Sequence, residues 1–153
     1  MNNSTSYWLK KGIHNGMPIA LGYLAVSFTL GIAAKNAGLT ALQAALASIT
    51  CHASAGEFAG FTLIAALAAY TEIAVMELII NARYFLMSCA LSQKLDNKMP
   101  FFHRLIMGLF VTDEIFGLTV SVPEKLNPAY MYGMVIVASP AWVLGTYFGV
   151  LFG

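Results

Sequence analysis

Six ionisable or amide side chains interrupt the apolar segments of this 153-residue chain: Glu57, Glu77, Asn81, Arg83, Asp113 and Glu114. Their chemistry is that of charge binding. A single cation, Arg83, stands against four carboxylates and cannot neutralise them all. Some of the acids must then be protonated, solvated or paired with a substrate cation, an arrangement suited to holding an ammonium group or carrying a proton. Glu57 lies in the stretch CHASAGEFAG, residues 51–60, among small residues that include Ser54, Gly56 and Gly60. Glycine at a chain break lets bare backbone groups meet a ligand, and the Gly56/Gly60 spacing of four equally suits close helix approach. His52 reads as a hydrogen-bonded helix-end residue. Glu77 shares a face with Asn81, Tyr84 and Ser88, which reads either as the lining of a water path or as polar packing between helices.

The elements that carry these residues are set by the solvent. The chain is 59% hydrophobic and 10% charged, with a mean hydropathy of +0.73. Soluble domains carry about 25% charged residues, so this composition belongs in a bilayer. A net charge of +1 offers no field for nucleic acid. Cys51 and Cys89 lie in apolar segments as small hydrophobes, and no metal-ligand spacing or cofactor motif occurs. Lys10 and Lys11 precede an apolar run too long for the h-region of a signal peptide, so it reads as a retained helix.

Hydropathy predicts an all-α polytopic transmembrane bundle in one membrane domain, residues 1–153. Helices are expected at about 16–34, 72–92, 104–121 and 130–153, each long enough to cross. Half-helices at about 39–52 and 58–71 are too short and read as a broken, re-entrant hairpin. Thr40 and Gln43 form a capping-box pattern, and Thr71 is a candidate cap for the helix after it. Polar loops fall at Asp96–Pro100 and Pro123–Pro128, and Pro140 is a kink that a membrane helix tolerates. Lys10 and Lys11 before the first helix, and Lys94, Lys98 and Arg104 around one short loop, both read as cytoplasmic, which places the N-terminus inside and makes 39–71 a hairpin dipping from outside. Asn81 and Arg83, and Asp113 and Glu114, then lie about ten residues into their helices, roughly 15 Å deep and near the midplane with the hairpin turn at 52–60. For Arg83 and Asp113 a transport role stands beside an interhelical ion pair that fixes packing. For Glu114 the two readings are level.

Three ordered segments, SAGEFAG (54–60), LIINARYFLMSCALSQKL (78–95) and VTDEIFG (111–117), resemble the AzlC family of branched-chain amino acid permeases, as does GMPIALGYLAVSFTLGIAAKNAGLT (16–40). The resemblance implies a multi-pass inner-membrane exporter of valine, leucine, isoleucine or analogues, working with a small AzlD-type membrane subunit and with homo-oligomers open. It places Glu57 and Phe58 on the broken-helix motif, Asn81 and Arg83 on the Asn-x-Arg motif, and Asp113 and Glu114 on the Thr-Asp-Glu motif. Two departures stand out. The family usually carries Gln where this chain has Glu57, and the chain stops at Gly153 where members continue, as a truncated permease would. The expected substrate site is Ser54, Gly56, Glu57, Phe58, Asn81, Arg83, Asp113 and Glu114. Half-helix ends and Arg83 would hold a carboxylate, an acid would meet the ammonium group, and Phe58 would pack the side chain. A non-transporting assembly subunit is the alternative. An intramembrane enzyme using His52 or Ser54 ranks last, because no H-E-x-x-H, G-x-S-x-G or Walker motif occurs.

Overall fold

The computed structural model describes residues 4–123 and 125–153, and the described residues contain helices and no strands. Seven helices follow in order: α1 (Thr5–Asn36), α2 (Ala41–Cys51), α3 (Ser54–Ala65), α4 (Tyr70–Lys94), α5 (Phe101–Leu109), α6 (Asp113–Val120) and α7 (Pro128–Phe152). Helices α1, α4 and α7 are long and apolar enough to cross a membrane. At 1.5 Å per residue, the 25 residues of α4 and of α7 extend about 37 Å, beyond a ~30 Å hydrocarbon core. Their outer faces suit lipid: Leu21, Leu78, Ile79, Phe85 and Leu86 are all exposed.

Three boundaries differ most from the sequence reading; smaller shifts end α3 at Ala65 rather than 71 and start α4 at Tyr70, so Thr71 lies inside that helix instead of capping it. Helix α1 begins eleven residues before the expected Gly16, because Lys10 and Lys11 lower hydropathy without breaking a helix. The Lys11 ammonium sits 5.0 Å from the Trp8 ring centroid, a favourable arrangement at a membrane boundary. The turn of the first hairpin is only His52 and Ala53, and Ser54–Gly60 is already helix. His52 caps α2 in the left-handed conformation at φ 49°, which ends the helix sharply. The capping box of Thr40 and Gln43 is present as expected.

The third difference is the largest. The expected single helix at 104–121 is two helices, α5 and α6, separated at Phe110–Thr112. Thr112 leaves the helical region at φ −124°, ψ 170°, and its side chain accepts from the Ile115 amide. Asp113 and Glu114 then occupy the first turn of α6, where the helix dipole favours acids. Glu124, within the expected 123–128 loop, lies outside the described residues.

The chain forms two compact units. The Glu57 unit comprises Ala20–Ala82 with Ser139–Gly153, and the Arg83 unit comprises Met1–Ile19 with Arg83–Ala138. In the Glu57 unit, Tyr23 stacks edge-on against Trp142, while Gly31 meets Thr146 and Gly149 so closely that a Cβ would overlap their backbone. In the Arg83 unit, Gly12 and Gly133 approach each other in the same way. Within the Glu57 unit these α1–α7 contacts rise along both helices, so the two run parallel there, seated through small residues as membrane helices commonly are.

Each unit holds a hairpin of short helices. In the Glu57 unit, Ala47 and Thr50 of α2 line the same cavity as Phe61 and Ile64 of α3, so α3 doubles back along α2. In the Arg83 unit, the stretch after α6 returns to the end of α4. Lys94 Nζ donates to the Val122 carbonyl (2.7 Å), the Leu126 amide donates to the Lys94 carbonyl (2.9 Å), and Lys125 Nζ donates to the Gln93 carbonyl (3.0 Å). Since α5 also starts from that end, α5–α6 enters and leaves beside Lys94. Leu91, Met107, Ile115, Met131 and Met134 form the buried core beneath it.

Candidate functional site

In the Glu57 unit the site is built around a buried carboxylate. Glu57 is 3% exposed, and both of its oxygens are engaged. Trp142 Nε1–H donates to Oε1 at 2.7 Å, and the Ser48 hydroxyl lies 2.6 Å from Oε2. Ser48 is also 2.8 Å from the Thr146 hydroxyl, which lies 3.2 Å from the Trp142 carbonyl. Each hydroxyl has one proton, so this chain has two complete orderings. With Glu57 ionised, Thr146 donates to Ser48 and Ser48 donates to Glu57. With Glu57 protonated, the direction reverses: Glu57 donates to Ser48, Ser48 to Thr146, and Thr146 to the carbonyl. Either protonation state is satisfied, which no fixed donor would permit.

A second carboxylate faces the same space. Glu77 accepts from Asn81 Nδ2 at 2.7 Å and has Cys51 Sγ 3.8 Å away. Asn81 Oδ1 is buried without a hydrogen-bond partner among the described residues. Gly56 and Gly60 make room for these groups: a Cβ on Gly56 would come within 2.7 Å of Glu77 and 2.9 Å of Asn81. Glu57 and Glu77 line a cavity of about 360 Å³ whose walls are Ala47, Phe61, Ile64 and Ile73, with no basic side chain in its lining. Beside it, α3 starts without a side-chain cap at Ala53, so its first amides are available to an anion.

In the Arg83 unit, Arg83 Nη1 pairs with Asp113 Oδ2 at 3.0 Å and donates through Nη2 to the Tyr84 hydroxyl at 3.3 Å. The sequence reading treats both charges as buried. Their side chains are instead 44% and 49% exposed. Glu114 is exposed as well.

The eight expected residues therefore fall into two clusters. Ser54, Gly56, Glu57, Phe58 and Asn81 belong to the Glu57 unit, and Arg83, Asp113 and Glu114 to the Arg83 unit. Phe58 is 57% exposed and absent from the cavity lining, where Phe61 stands instead. Ser54 is exposed at the start of α3. Ser48, Trp142 and Thr146 escape sequence reading, since their partners are 9, 85 and 98 residues away in the chain. The break at 110–112 does carry a sequence signal, because Thr followed by two acids is a helix-start pattern.

A family model described as "AzlC protein" matches residues 18–153, most of the chain and both clusters. The chain belongs to the AzlC family. It is 34% identical over 150 residues to a membrane protein of Archaeoglobus fulgidus, covering 98% of this chain and 65% of that protein. It is 22% identical over 147 residues to the inner membrane protein YgaZ of Escherichia coli, covering 94% of this chain and 60% of the relative. A Helicobacter pylori membrane protein is 25% identical over 150 residues, covering 94% of this chain and 64% of its own length. The chain thus spans less than two thirds of the AzlC relatives it matches, and no solved structure matches it. It is a membrane protein of this family, built from apolar helices.

Proposed function

We propose that this AzlC chain is the membrane core of a secondary transporter that exports branched-chain or related apolar amino acids. The observation that carries the reading is the cavity of the Glu57 unit: two carboxylates, Glu57 and Glu77, meet apolar walls, with no basic side chain in the lining. An amino acid offers matching groups. Its ammonium fits Glu77, its carboxylate fits the uncapped start of α3, and its aliphatic side chain fits Phe61, Ile64 and Ile73. The reversible Ser48–Thr146 hydroxyl chain lets Glu57 take up and release a proton while staying hydrogen-bonded, which supports coupling to protons. Arg83 is held by Asp113 within the Arg83 unit. A small AzlD-type subunit is the partner this reading expects, in the inner membrane with the N-terminus cytoplasmic.

Efflux of labelled leucine and valine from proteoliposomes, with and without the small subunit, tests the proposal. Wild type is expected to give saturable flux of both. No flux in either condition removes the transporter reading and leaves a non-transporting assembly subunit. Glu57→Gln keeps the acceptor for Trp142 and a donor for Ser48, so it is expected to retain binding while flux loses its pH dependence. An unchanged pH profile in that variant removes Glu57 as the proton carrier.

A further inference from the structure

The two hairpins share an order that the family match does not assign. Residues 41–94 read as a helix of 11 residues, one of 12 and one of 25; residues 101–152 read as helices of 9, 8 and 25 residues. Inside the second short helix of each run stands one pattern, Glu-x-x-Gly-x-Thr: Glu57, Gly60 and Thr62 in α3, and Glu114, Gly117 and Thr119 in α6. The flanking residues match in kind, EFAGFTL against EIFGLTV. Both threonines make the same local bond, Thr62 to the Phe58 carbonyl (2.8 Å) and Thr119 to the Ile115 carbonyl (2.9 Å). The motifs are 57 positions apart and the long helices start 58 apart, an offset that agrees to within one residue.

Direction follows from α4. The α2–α3 hairpin leads into its first residue, Tyr70, and the α5–α6 hairpin begins and ends beside its last, Lys94. A helix about 37 Å long places those two ends on opposite faces of the bilayer. We propose that residues 41–94 and 101–152 are inverted copies of one unit, and that each copy's hairpin opens a water-filled vestibule to its own face, reaching Ser54 from one side and Glu114 from the other. The short helices cannot cross: nine residues extend about 14 Å and eight about 12 Å. The exposed charges of Asp113, Glu114 and Arg83 at the second break are tolerable at membrane depth only beside water or protein. Inverted repeats with broken helices are a recurrent transporter plan, so the vestibules deepen the transport reading, whereas the topology stands without it.

Single cysteines in a Cys51→Ala, Cys89→Ala background of the full chain test both parts, using a membrane-impermeant maleimide on right-side-out and inside-out vesicles. Asn97→Cys and Ser121→Cys, which flank α5–α6, are expected to label from one face, and Ala69→Cys from the other. Labelling of positions 97 and 121 from opposite faces means that α5–α6 crosses, and overturns the inverted repeat. At the breaks, Ser54→Cys is expected to label from the face of Ala69 and Glu114→Cys from the face of Ser121. Both labelling from one face, or neither labelling while the loop positions react, overturns the vestibules. Labelling needs no transport, so a chain that gives no flux fails the functional proposal and still answers this one.

Discussion

Glu57 has both carboxylate oxygens answered from within its own unit. The surrounding groups come from three elements: Ser48 from α2, Trp142 and Thr146 from α7, with Gly56 beside it on α3 leaving space for Glu77 and Asn81. Trp142→Phe removes the donor to Oε1 and strands a buried acceptor, which costs about 1–3 kcal/mol. Thermal denaturation in detergent is expected to register that loss, and to register less of it in a Glu57→Leu background where no carboxylate remains. Gly56→Ala acts differently. The added methyl displaces the ends of the Glu77 and Asn81 side chains rather than backbone, so the expected result is impaired leucine efflux with a nearly unchanged melting temperature. A melting temperature that falls as far as in a backbone-clash variant would show that Gly56 serves packing alone.

Among elements, α1 and α7 are joined by glycine contacts that admit no side chain. Gly31→Ala would drive a methyl into the Thr146 carbonyl and the Gly149 backbone, neither of which can rotate away. Overpacking of that kind costs about 1–3 kcal/mol or more. A methyl on Gly22, in the same helix, would meet nothing within 4 Å, so Gly22→Ala is expected to hold or slightly raise the melting temperature through helix propensity alone. Comparing the two separates packing from helix propensity. At α6, Thr112→Ala removes the cap on Ile115 and is expected to cost about 1 kcal/mol, while Thr112→Ser restores it. The cap is also why α5 and α6 are separate helices.

Across the whole molecule, each unit holds one hairpin of short helices, with Glu57 in α3 of one and Asp113 in α6 of the other. The Arg83–Asp113 pair ties α4 to α6 within its unit. If the pair serves only to join these elements, the charge swap Arg83→Asp with Asp113→Arg restores the flux that either single change removes. If Arg83 meets the substrate carboxylate, the swap stays inactive although the protein inserts and folds. Leucine efflux measured beside size-exclusion behaviour in detergent distinguishes the two results.

Much of this is legible in the sequence alone. Composition determines the solvent, because 10% charge cannot cover a surface in water, and apolar run length picks out three spanning helices and the first short hairpin, though not the second. Local caps are equally readable: the Thr40–Gln43 box is where its spacing predicts, and Thr-Asp-Glu at 112–114 marks a helix start that run length alone hides. Hydropathy averages over a break of three residues, so the 104–121 segment reads as one helix until its backbone is seen. Tertiary structure alone decided who meets whom. Trp142 reaches Glu57 across 85 residues and Phe61 rather than Phe58 faces the cavity, whereas the Arg83–Asp113 pair is one the sequence already offers. Side-chain periodicity says which residues share a face, but the partner of that face depends on how helices pack, and packing is set by contacts no local pattern encodes.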